Sequence, residues 1–262
     1  MAEKGQITTY MILGIVFVLI VMAVLLFKEP KTEQPSLLNE ETQKVRMFVD
    51  SCIDTSAKQG ILLIASRGGY IIPPEHFLKS EYADIPYYYY EGQVVFPSNE
   101  SMNSQLEEYL GYAIKQCTDN FTSFSSQVEQ GEIAVSSEIT LDKINLDINY
   151  PLTVKTEKEQ QTISKFKKSY DIRLERTRGI AEELMDEISK EPALIPYTLM
   201  IEKQEQNNVN IMAYEKSNDT AVYLIKDTNS TSLGDIPLIF TFAIKLNESE
   251  ILPAFTEQGE EI

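Results

Sequence analysis

EIAVSSEIT (residues 132–140) and KINLDINY (143–150), with Leu141-Asp142 between them, decide the fold class. Both segments alternate apolar with polar residues, the period-2 pattern of strands buried on one face. The two intervening residues suit a tight antiparallel turn, so the pair reads as a hairpin. Around it the chain sets helices and strands in runs rather than in βαβ alternation. That order points to an α+β fold with antiparallel sheet and about three helices.

On the N-terminal side, a helix over 37–67 is expected, capped by Ser36 and ended by Gly68-Gly69. Its apolar stripe is Val45, Val49, Ile53, Ala57, Ile61 and Ile64. Pro97-Ser98 opens a second helix over 100–121, with Leu106, Leu110, Ala113, Ile114, Cys117 and Phe121 on one side. Between the helices, YYYY (87–90), Glu91-Gly92 and QVVF (93–96) read as a β-hairpin turning at Glu-Gly. Alternate residues of a strand face opposite sides. Two of Tyr87, Tyr88, Tyr89 and Tyr90 should therefore pack inward and two form an exposed aromatic platform, suited to contacts with sugar or protein.

On the C-terminal side, Gln161 to Arg173 reads as a strand, followed by a third helix over 173–190. Segments 196–203, 208–215, 220–226 and 236–246 read as strands, the last (IPLIFTFAIK) apolar enough to be central. The pattern leaves open whether there is one sheet or two. It places the domain at 37–249, with a possible sub-boundary near 125–130 and an acidic tail at 250–262.

Residues 7–27, ITTYMILGIVFVLIVMAVLLF, carry no charge and are long enough to cross a bilayer as a helix. A polar linker with two prolines, 28–36, follows. No small-residue cleavage site succeeds the apolar stretch, so a retained transmembrane helix is expected, with the lipid bilayer as its partner. The net charge is −17 and the pI about 4.5, which disfavours nucleic acid as a partner.

Signals for orientation conflict. Lysines 28, 31 and 44 follow the helix, against Lys4 before it, which leans towards an internal domain. Two other features point outward. Cys52 and Cys117 are the only cysteines, a pair suited to one disulfide. Asn99, Asn120, Asn218, Asn229 and Asn247 all head N-x-[ST] sequons, where chance gives about two. An outward-facing domain is the expectation.

Catalytic signals are absent. His76 is the single histidine, and no P-loop, nucleophile elbow, dinucleotide fingerprint or zinc motif occurs. Neither cofactor nor metal is expected. The composition suits a membrane-anchored surface protein, structural or interacting, with an envelope protein or glycan as partner. An envelope hydrolase working through carboxylates is the weaker reading.

Two resemblances add to this. Lys4-Gly5-Gln6-Ile7-Thr8, just before the apolar stretch, resembles the class III signal peptide of archaeal pilin-like proteins. It implies cleavage between Gly5 and Gln6 and assembly through the N-terminal helix. Tyr10 stands where many such pilins carry Glu, and Pro30 and Pro35 interrupt the stem. More widely, the anchor, Cys52, Gly68-Gly69-Tyr70-Ile71, Ile85-Pro86 with the four tyrosines, Glu91-Gly92, Pro97-Ser98 and Cys117 follow in a telling order. In that order the chain is similar to uncharacterised membrane-anchored proteins of small-genome archaea, over about residues 6–155. Arg67 stands where those proteins have Gln. The resemblance implies the anchor-plus-domain layout and no site residues.

Overall fold

Helix α1 (Glu40–Ser66) has apolar residues on more than one side, and most of them find cover, Met47 excepted. Val45, Val49, Ile53, Ala57, Ile61 and Ile64 are fully buried, as their spacing predicts, and Cys52, Ser56, Gly60 and Ala65 widen the stripe. The computed structural model describes residues 38–81 and 83–251. Gly5 and Gln6, the apolar segment 7–27, the linker 28–36 and tail residues 252–262 lie outside these. The chain divides between Asn39 and Glu40 into two units, and every element below belongs to the second. Among the described residues no helix is long and apolar enough to cross a membrane.

Gly68 and Gly69 stop α1 as expected, with φ of +52° and +81° and the Gly69 N–H donating to the Ile64 carbonyl at 2.7 Å. A Cβ on Gly68 would lie 2.6 Å from the Thr241 carbonyl oxygen, so glycine is required for close approach as well as for its φ.

The strands form two sheets. The first contains β1 (Phe77–Lys79), β2 (Asp84–Tyr90), β3 (Gln93–Val94), β8 (Asn210–Ser217), β9 (Thr220–Asp227) and β10 (Leu238–Lys245), in the order β1-β2-β10-β9-β8. As its composition predicts, β10 is central. It runs parallel to β2, however, an exception to the antiparallel pairing expected. A long crossover separates these two strands in sequence, which is what parallel neighbours need. The β2–β3 turn falls at Glu91 and Gly92, both with positive φ, the requirement of a two-residue hairpin turn.

The second sheet contains β4 (Gln127–Gln130), β5 (Ala134–Ile139), β6 (Lys143–Lys155) and β7 (Gln160–Asp171). The β5–β6 hairpin turns at Leu141-Asp142, with the Thr140 N–H donating to the Lys143 carbonyl. One edge of the long β6 pairs with β7, the other with β5 and β4 in succession.

Helix α2 (Asn99–Thr118) opens at Ser98, whose hydroxyl accepts from the Ser101 N–H. It buries Met102, Leu106, Leu110, Ile114 and Thr118, a strict four-residue spacing that puts Ala113 and Cys117 off the buried stripe. Helix α1 packs on α2, on β10 of the first sheet and on β6 and β7 of the second. Cys52, buried on α1, is bonded to the exposed Cys117 of α2.

Helix α3 (Leu174–Ile188) follows expectation, but 196–203 does not. This segment belongs to a fourth helix, α4 (Tyr197–Asn207). Leu199, Met200 and Ile201 suggested a strand, yet Glu202 to Gln206 is a run of helix-forming residues. Pro196 precedes the helix, and Asn208 ends it at φ +50°.

One buried ion pair ties these parts together. Asp227, at the end of β9, is fully buried. Its carboxylate accepts from Arg173 Nη1 (3.1 Å), from the Asn229 N–H (3.1 Å) and amide nitrogen (3.0 Å), and from the Ser230 hydroxyl (2.6 Å). Arg173, between β7 and α3, also donates to the Asn207 carbonyl at the end of α4.

Losing one partner of such a pair strands a buried charge. Asp227→Ala should lower the unfolding free energy by about 3–5 kcal/mol in urea titration, with Asp227→Asn milder. Changing Cys52 and Cys117 together to Ser should cost about 4 kcal/mol, the chain-entropy value for their 65-residue separation, read by the same titration.

Candidate interaction surface

Register assigns the faces of the first sheet, because directly opposed residues share a side. Phe240 opposes Ile225 and Phe242 opposes Tyr223 on one face; Thr241 opposes Leu224 and Ala243 opposes Val222 on the other. The first is the helix face. Tyr88 stacks on Phe242 (centroids 4.8 Å apart), as does Tyr223 (5.1 Å), and the Tyr88 hydroxyl donates to the Gly68 carbonyl at the end of α1. Burial raises the Tyr88 pKa well above the ordinary tyrosine range, with charges of α3 among the smaller influences. Tyr223 is raised by burial and then by Tyr197 of α4. Both helices therefore lie over this side.

The second, open face is apolar, and it is exposed towards its rim while its centre is buried. Ile85, Val222 and Ala243 form its centre, with Leu78, Tyr87 and Leu224 packed against them. Towards the β8 edge its side chains are left to solvent: Met212 is 45% exposed, Tyr214 46% and Ile239 36%. Exposed apolar side chains gathered on one face make it a candidate interaction surface.

Two tyrosines do face inward and two outward, but they do not alternate. Tyr87 pairs with Ala243, while Tyr89 and Tyr90 pair with Ile244 and Lys245, so the register slips by one residue between them. This bulge turns Tyr88 and Tyr89 both towards the buried side and sets Tyr87 and Tyr90 together on the open face, ring centroids 5.5 Å apart. His76 stacks flat on Tyr90 at 4.1 Å, and Lys245 Nζ sits 5.7 Å from the same ring. The expected platform is thus Tyr87 and Tyr90 with His76. The Tyr87 pKa is raised, chiefly by burial, so its hydroxyl remains a neutral hydrogen-bonding group. Inside, the Tyr89 hydroxyl donates to Glu250, and burial with that hydrogen bond pushes its pKa up to about 12.

The sequons separate into two kinds. Asn99 donates its amide to the Ile139 carbonyl (3.0 Å), and Asn229 donates to the Asn208 carbonyl (2.7 Å) and to Asp227. Asn218 is exposed at the β8–β9 turn. Asn247 uses only its side-chain oxygen, accepting from Ser249 and Glu250. The Asn120 side chain lies outside the described residues. Among the described residues no group of three or more His, Cys, Asp and Glu is placed to hold a metal ion.

Comparison with models of protein families, with curated proteins and with solved structures finds no match. The open face therefore stands on its own geometry. The sequence reading located its tyrosines but missed Met212, Tyr214 and Ile239. Their signal was legible, since strands 208–215 and 236–246 are apolar at both odd and even positions.

Glycopeptide mass spectrometry of the native protein should find modification at Asn218 and Asn247 and none at Asn99 and Asn229. Asn218→Gln should remove one glycan's mass.

Proposed function

We propose that the protein is a membrane-anchored surface module that works by binding through the open face of its first sheet. The observation that carries this is the face itself: around a buried apolar centre it exposes Met212, Tyr214 and Ile239 and bears Tyr87 and Tyr90, on a sheet whose other side is packed by helices. Residues 7–27 supply the anchor, by their length and lack of charge. The Cys52–Cys117 bond supports an oxidising, external compartment, as does the exposed sequon at Asn218. The partner belongs to the envelope, as a protein or a glycan.

Intact cells treated with a membrane-impermeant amine reagent test this, with labelled lysines read by mass spectrometry. Lys158, exposed in the β6–β7 turn, should label without lysis, and Lys226 on the open face should be protected relative to purified protein. Labelling only after lysis, together with free thiols, would place the domain inside and end the reading. The same spectra give the mature amino terminus, where Gln6 would mark pilin-type processing.

A further inference from the structure

We infer that the partner of the open sheet face is a second copy of this chain, docked head to tail. The inference rests on the reading of that face as a binding surface and names what binds there. Its starting point is charge. On a chain of net charge −17, the charged residues of β9 and β10 on the open face are Lys226 and Lys245, with no carboxylate at those strand positions. Glu91, 4.0 Å from Lys245, and Asp219 at the β8–β9 turn stand only at one rim. Two such faces brought together would set lysine against lysine, so a symmetric face-to-face dimer is disfavoured.

A complementary surface exists on the same molecule. The α3–α4 connection and the outer side of α4 expose Leu194 (51%), Tyr197 (61%) and Ile201 (55%). Around them stand the exposed carboxylates Glu191, Glu202 and Glu205; Glu191 and Glu202 line a shallow depression with Leu194 and Tyr197, whose one lysine, Lys190, is paired with Glu187. Tyr197, Ile201 and Glu205 follow at four-residue intervals, so they share one stripe of the helix. One surface is apolar with lysines, and the other is apolar with an excess of glutamates over its one lysine.

Their placement decides the kind of assembly. Helices α3 and α4 cover the helix face of the first sheet, and the lysine-bearing surface is the opposite face of that sheet. Two complementary patches on opposite sides of one layer cannot both be satisfied within a pair. Each added copy leaves one patch free, so the contact is heterologous and propagates as a row.

The test uses full-length protein in detergent micelles and two variants with only exposed side chains changed: Lys226→Glu, and Glu191→Lys with Glu202→Lys. Wild-type protein should show concentration-dependent growth beyond dimers by sedimentation velocity. Each variant alone should associate about tenfold or more weakly, because it opposes like charges. An equimolar mixture of the two should recover assembly, since each variant's altered patch then meets its complement on the other. Circular dichroism verifies that both variants are folded. A wild-type protein that stays monomeric or stops at dimers, or a mixture that gains nothing over its components, overturns the inference. If Lys226 is nevertheless protected on cells, the open face binds something else and the proposed function stands. If Lys226 is also unprotected there, both fail.

Discussion

Helix α1 is held on several sides at once, and the rest of the domain is arranged around that fact. Its buried residues reach α2, β10 of the first sheet and both long strands of the second. Each fully buried aliphatic side chain contributes about 1.5–3 kcal/mol, so this one helix supplies much of the hydrophobic stabilisation. The packing is close enough to dictate where glycine must stand. A Cβ on Gly60 would lie 2.8 Å from the Tyr109 ring, and one on Gly68 would meet the backbone of β10. Helix α2 and the first sheet approach α1 closely where those positions lack side chains.

With one side of the first sheet committed to helices, the other is free to do something else. The aromatic stack of Tyr88, Phe242 and Tyr223 fills the committed side. The register slip in β2 turns Tyr89 to the same side as the stack while Tyr87 and Tyr90 stay on the other. A bulge thus serves both packing and presentation: it adds an aromatic to the core and pairs two others on the surface. The Arg173–Asp227 network has a complementary role. It fastens the start of α3 and the end of α4 to β9, so the acidic outer stripe of α4 is held at a fixed place relative to the sheet.

Much of this was legible before any coordinates. The central position of β10 follows from its composition. The Gly68-Gly69 stop, the Glu91-Gly92 and Leu141-Asp142 turns and the Ser98 cap all follow from local chemistry. At 196–203 three adjacent apolar residues imitate a strand, while the helix formers after them set the structure. Only Met200 of that helix is buried, so the hydrophobic pattern carried little information there. Cys117 was assigned to a buried stripe because a three-residue step from Ile114 is as good a helical spacing as four. The actual stripe steps by four throughout.

The sequence by itself determined the secondary structure of most segments, the turn positions, the acidic character and the candidate anchor. These depend on residues near one another in the chain. Tertiary structure decided the parallel pairing of β2 with β10, the division into two sheets, the direction each tyrosine faces and which sequons are free. Those depend on register and contact between segments far apart in sequence. A one-residue slip reverses every side chain beyond it, and nothing local to YYYY announces where the slip falls.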